Sequence, residues 1–191
     1  RIVDQGGEGA GIVNAGPPRA IYGRQPRLLL RLEIERGDQP PQVIVSDESW
    51  VATTEGPVRC SDLLDGEIYD ARRELPGWDR PGFDAAAWRP VAAKALEPGK
   101  PALVAQPNEP IRITRVLQLI GITEPQPGAY VFDLGQNMVG WCRIKVRAPA
   151  GTTVTLRHAE VLNPDGTIYT ENLRSAKQTE AYTCRGGDLE T

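Results

Sequence analysis

Apolar side chains recur at every second position in several stretches of this chain. In residues 27–36, Leu28, Leu30, Leu32 and Ile34 fall on one face of an extended segment, while Leu29, Arg31, Glu33 and Glu35 fall on the other. Period two with one charged face predicts a half-buried antiparallel strand. Leu, Arg and Glu also favour helix, so a helix is the alternative, but no i, i+3, i+4 pattern matches as well. Gly37 to Pro41 reads as a turn into the β-branched run Val43-Ile44-Val45, giving a hairpin.

The same signals continue downstream. Short strands are predicted over 50–53, 58–61 and 67–72, with Gly56-Pro57, Pro76-Gly77 and Pro81-Gly82 as turns. Asp84 is placed to cap one helical turn reaching Trp88. Residues 94–110 carry Pro98, Pro101, Pro107 and Pro110 and read as a linker. A second alternating run follows over 111–120, then strands over 129–134, 139–147, 152–160 and 180–184. Asn163-Pro-Asp-Gly166 supplies a turn with an Asp-Gly signal. Roughly a dozen short strands with frequent turns predict an all-β chain of two antiparallel β-sandwich pieces of jelly-roll or concanavalin-like type. The linker divides them at 1–105 and 106–191. Both pieces are expected to be incomplete, with residues 1–26 a loop or cut end and residues 186–191 lacking a closing strand, so an unpaired sheet edge is expected.

Composition narrows the function classes. The chain has 191 residues, 40% hydrophobic and 25% charged, which suits a globular protein. The longest apolar stretch, 116–122, is interrupted by Gln118 and Gly121, far short of the ~20 residues that span a bilayer. Residues 1–11 show no apolar signal core and no initiator Met, so a start inside a longer protein is expected, and the compartment, cytoplasm or exterior, is left open. Net charge is −3 without a cluster of Lys or Arg, which argues against a nucleic-acid partner. Three cysteines without a C-x-x-C pair and a single histidine argue against zinc, and their odd number argues against a disulfide framework.

Four segments carry residue types capable of chemistry. In 61–72, Asp65, Glu67 and Asp70 lie beside Tyr69 and Arg72. Carboxylates accept hydroxyl hydrogen bonds, and a ring stacks on the apolar face of a pyranose, so this group suits a sugar; the same oxygens suit Ca²⁺. The competing reading is an ion pair such as Asp70–Arg72 or Glu67–Arg73 that secures a crossover. Trp78, close to Phe83 and Trp88, is a second sugar-stacking candidate or else a core plug or a lock on its own loop. Asp133 and Asn137 bracket a turn and are expected to bond their own backbone or, alternatively, a ligand. His158 and Glu160 lie in phase with Val154 and Leu156, so they form a proton relay or a structural, interdomain pair. No catalytic triad or nucleophile motif accompanies them, and no acid pair stands out for glycoside hydrolysis.

Asp47-Glu-Ser-Trp50, Ser61-Asp-Leu63, Asp65-Gly-Glu-Ile-Tyr-Asp-Ala-Arg72 and Pro76-Gly-Trp78 through Trp88 resemble the N-terminal domain of bacterial α-L-rhamnosidases. Val131-Phe-Asp-Leu-Gly-Gln-Asn-Met-Val-Gly-Trp141, Arg157-His-Ala-Glu160, Leu162-Asn-Pro-Asp-Gly166 and Glu171-Asn-Leu-Arg174 resemble the concanavalin-like domain that follows it. The resemblance covers about residues 20–191, with both motif sets in family order. It implies an inverting glycoside hydrolase that removes terminal α-L-rhamnose from rhamnosyl glycosides. It also implies that the two catalytic acids belong to an (α/α)6 barrel C-terminal to this region, so no catalytic residue is assigned here. The family's earlier strands, with their Gly-Trp-Tyr pattern, are missing before Ile21-Tyr22-Gly23. In some relatives a domain of this type binds rhamnose with Ca²⁺, which makes Asp65, Glu67, Tyr69, Asp70, Arg72 and Trp78 the carbohydrate candidates and the barrel the expected partner. A stand-alone lectin-like module is the alternative.

Overall fold

The structure, a computed structural model, describes residues 27–95 and 104–191. The predicted loop over 1–26 and part of the predicted linker lie outside the described residues. Ten strands form four sheets, and no α-helix occurs among the described residues. β1 (Arg31–Arg36) and β2 (Gln39–Val45) form the predicted hairpin, turning at Gly37 and bulging between Ile34 and Arg36. The helical alternative for this segment is not adopted. β3 (Val51–Ala52) pairs with β6 (Arg89–Pro90), and Trp50 Nε1 donates to Val45 O at 3.0 Å.

The central sheet has the order β4-β5-β10-β9, with β4 (Val58–Asp62), β5 (Gly66–Asp70), β9 (Thr153–Arg157) and β10 (Thr179–Thr183). Among the described residues every strand pairing is antiparallel except one: β5 and β10 run parallel, with Tyr69 opposite Tyr182. That seam unites strands from both predicted halves in one sheet. β7 (Gly121–Gln126) and β8 (Ala129–Asp133) make a separate hairpin. Their turn sits at Pro127-Gly128.

Three further expectations are corrected. Asp84 caps a turn, its Oδ1 accepting from Ala86 N at 2.9 Å, but no helix follows, because Arg89 is already drawn into β6. The runs over 111–120 and 139–147 are extended yet belong to no strand, apart from an isolated bridge between Val146 and Glu190. The alternation is there; the neighbouring strand is not. Ala71 and Cys184 are the buried apolar residues among those described, while most large side chains stay exposed, Leu32, Val43, Ile113 and Phe132 among them.

Candidate functional site

The site is built outward from the β4–β5 turn. Asp62 Oδ1 accepts from Leu64 N at 2.8 Å and Asp65 N at 3.1 Å, which folds the turn. Gly66 then enters β5 at φ +102°, a conformation open to glycine, with its Cα hydrogens against the Thr179 carbonyl. Asp65, at the turn, takes a 3.1 Å ion pair from Lys177.

β5 ends in a 3-10 turn, Ala71–Arg73, capped by Asp70, which accepts from Arg72 N at 3.1 Å. The Arg72 guanidinium adds a two-pronged bond to Asp70, 2.8 Å on each oxygen. Charge-assisted bonds of this geometry are strong. The Arg72 hydrogen bond holds the Asp70 carboxyl down to about 2, well under the usual carboxylate range. Arg73 bonds Glu55 at 2.6 Å and lies 3.8 Å from Asp70. Asp70 and Arg72 therefore spend their bonding capacity on each other and on the turn.

The other face of β5 is different. Glu67 and Tyr69 point into a cleft of about 570 Å³ together with Glu180 and Tyr182 of β10, Leu156 of β9 and the Trp141–Ile144 segment. The Tyr69 and Tyr182 rings stack with centroids 5.6 Å apart and planes 6° from parallel. Tyr69 Oη donates to Glu74 Oε1 at 3.1 Å, and Arg185 donates to Glu74 Oε2 at 2.5 Å. Tyr182 Oη donates to Glu190 Oε2 at 2.9 Å, and that buried carboxylate also accepts from Arg185 N at 3.0 Å and Gly186 N at 3.1 Å. The hydrogen bond from Arg185 N, above all, holds the Glu190 carboxyl below its ordinary value, whereas burial, then Glu190, pushes the Tyr182 phenol up.

The remaining sequence candidates scatter. Trp78 is 62% exposed in a loop, not a core plug; Phe83 and Trp88 pack on each other without it, rings 5.6 Å apart. Asp133 Oδ1 accepts from Gly135 N at 2.7 Å within its own turn, and Asn137 is exposed nearby. His158 Nε2 meets Glu180 Oε2 at 2.9 Å, so its partner is Glu180 across the β9–β10 ladder and not Glu160, which is exposed. Beyond Arg157 the chain leaves β9, and the alternation that put His158 and Glu160 on one face ends with the strand.

Sequence reading missed Trp141, Glu180 and Tyr182. A signal for two of them exists: Glu67-Ile-Tyr69 and Glu180-Ala-Tyr182 repeat one Glu-x-Tyr pattern, and the parallel register aligns the two copies. Carboxylates beside aromatic rings in an open cleft are suited to hydroxyl-rich ligands. Among the described residues no group of three or more His, Cys, Asp or Glu is placed to hold a metal ion.

Fold and cleft together define an all-β protein of antiparallel strand pairs, with one parallel seam inside its central sheet. Residues 6–115 match the model of the alpha-L-rhamnosidase N-terminal domain, and residues 123–191 match the bacterial alpha-L-rhamnosidase concanavalin-like domain. The chain is 52% identical over 171 residues to an alpha-L-rhamnosidase of Streptomyces avermitilis and 41% identical over 161 residues to one of Formosa agariphila. These alignments take in 89% and 82% of the chain but 16% and 17% of the relatives' lengths. The crystal structure of the Streptomyces avermitilis alpha-L-rhamnosidase complexed with L-rhamnose superimposes with a TM-score of 0.87 at 48% identity, covering 97% of this chain and 18% of that one. The chain belongs to the α-L-rhamnosidase family and carries its N-terminal domain and sequence from its concanavalin-like domain.

Proposed function

We propose that this chain is the non-catalytic β-domain portion of an α-L-rhamnosidase, which hydrolyses terminal α-L-rhamnose from glycosides, and that it supports a catalytic barrel located elsewhere in the polypeptide. The observation that carries this reading is the match of both family domains, in family order, to one chain. We divide it at 1–105 and 106–191, with Asp133, Asn137, His158 and Glu160 as structural or interdomain polar groups. Two experiments test the reading. The purified 191-residue chain is expected to release no chromophore from p-nitrophenyl α-L-rhamnoside, and turnover overturns the non-catalytic assignment. A chimaera in which this chain replaces the matching segment of the Streptomyces avermitilis enzyme is expected to cleave that substrate; a folded but inactive chimaera counts against the scaffold role.

A second reading, a lectin-like carbohydrate-binding role, is favoured by one feature. The cleft sets Glu67, Tyr69, Trp141, Glu180 and Tyr182 around a volume of about 570 Å³. Of the remaining sugar candidates, Trp78 is exposed, Asp65 shares its carboxylate with Lys177, and Asp70 and Arg72 are engaged with each other. Titration calorimetry with L-rhamnose, with and without Ca²⁺, decides this reading: heat that Glu67→Gln abolishes supports it, and no heat at millimolar sugar removes it.

A further inference from the structure

The β5–β10 seam carries a closed circuit of five residues. Tyr182 Oη and the Arg185 amide both donate to Glu190 Oε2, and the Gly186 amide donates to Oε1. The Arg185 guanidinium reaches the other way, to Glu74, which also accepts from Tyr69 Oη. The Tyr69 and Tyr182 rings, stacked on each other, close the loop. Tyr69 and Glu74 belong to the sequence that matches the N-terminal domain, and Tyr182, Arg185 and Glu190 to the sequence that matches the concanavalin-like domain. The circuit therefore crosses the boundary between the two domains twice, once by ring stacking and once by an ion pair.

Glu190 holds the most together. It is 2% exposed, and a carboxylate so placed persists only when its oxygens are bonded. Its removal strands the Tyr182 hydroxyl and the Arg185 and Gly186 amides, and an unmet donor in such a place is costly. Its main chain is bound as well: Glu190 N donates to Val146 O at 2.8 Å, and Val146 N returns to Glu190 O at 3.0 Å. One residue thus fixes the Val146 segment, the 185–186 turn and β10. Through Tyr182 and Arg185 it also holds β10 against β5. Lys177–Asp65 makes the contrast. That pair crosses the same boundary, but Lys177 is exposed, and exposed ion pairs contribute little.

We propose that this circuit is a lock that makes β5 of the N-terminal domain and β10 of the concanavalin-like domain open and close as one unit, with Glu190 as its keystone. Hydrogen exchange on the 191-residue chain tests it. In Glu190→Ala the amides of β4, β5, β9 and β10 are expected to exchange at least about tenfold faster, all together. The β1–β2 and β7–β8 hairpins share no ladder with that sheet and are expected to keep wild-type rates. Faster exchange confined to β9, β10 and the Val146 segment, with β5 unmoved, overturns the lock, because Glu190 then serves its own domain alone. Wild-type rates throughout overturn it too. Lys177→Ala is expected to change nothing, and acceleration of β5 equal to that in Glu190→Ala overturns the circuit as the connection. Should Glu190→Ala fail to fold, Tyr182→Phe, which removes one hydroxyl and keeps the ring, gives the same comparison with a smaller gain, about twofold or more. Glu74→Gln and Glu190→Gln, linked through Arg185, are expected to couple by about twofold or more in the unfolding equilibrium. Strict additivity of the two overturns the closed circuit.

Discussion

Tyr69 and Tyr182 stack with nearly parallel planes across the parallel β5–β10 seam, 5.6 Å between ring centres, and each phenol is tied to a different glutamate. The pair joins two Glu-x-Tyr segments from opposite parts of the sequence. A stacked aromatic pair is worth about 0.5–1.5 kcal/mol beyond its burial. A double-mutant cycle of Tyr69→Ala and Tyr182→Ala, followed by urea unfolding, is expected to return a coupling of that size. Additive losses would show that the rings do not hold the seam.

Gly66 is expected to be the least replaceable glycine of this sheet. A Cβ there would run into the Thr179 backbone, and φ is +102°. Gly77, at φ +81°, has open space around it. Gly77→Ala should cost about 1–2 kcal/mol from backbone strain alone. Gly66→Ala adds a collision between two main chains and should cost at least about 3 kcal/mol. Denaturation midpoints compare the two, and equal losses would refute the tight β5–β10 approach.

Acid sensitivity follows from Asp70. Its carboxyl, held at about 2 by the Arg72 bond, ionises more readily in the folded chain than in the unfolded chain, where about 3.9 is usual. A depressed folded value stabilises above the unfolded one, and that contribution fades as pH falls from roughly 4 toward 2. Glu190, depressed first by the Arg185 amide, acts in the same sense. Asp70→Asn is expected to flatten the dependence of the urea midpoint on pH in this window. A mutant with the wild-type slope would assign the acid response to other carboxylates.

The thiols should separate into three classes. Cys60 and Cys142 are exposed and Cys184 is buried. Partial burial, then Glu180, pushes the Cys142 thiol up, and thiolate is the reactive form. An aromatic disulfide reagent at pH 8 should modify Cys60 first, Cys142 more slowly and Cys184 only in denaturant. Early modification of Cys184 would contradict the packing around β10.

Much of the fold is legible as alternation. Leu32 and Ile34, Val43 and Val45, Val154 and Leu156 all announce strands that form, because a period-two pattern needs nothing beyond its own segment to be read. The runs over 111–120 and 139–147 have the same pattern and are not strands here, because a strand also needs a neighbour that its own sequence does not name. The cleft was half visible. Glu67 and Tyr69 share a face by local geometry, but Glu180 and Tyr182 reach it through a long-range parallel register that no local signal encodes. His158 shows the same limit: its bond to Glu180 depends on cross-strand register, and in-strand spacing suggested Glu160 instead.

The parallel seam also sets a timetable for synthesis. Lys177 bonds Asp65, 112 residues earlier in the chain, and β10 docks on β5 across a similar interval. At about 5–20 residues per second, roughly 6 to 22 seconds pass between the ribosome delivering one side of the seam and the other. Throughout that interval the nascent β5 edge is open to whatever strand it meets first, so translation pace and chaperone cover in this stretch will govern the yield of correctly joined protein.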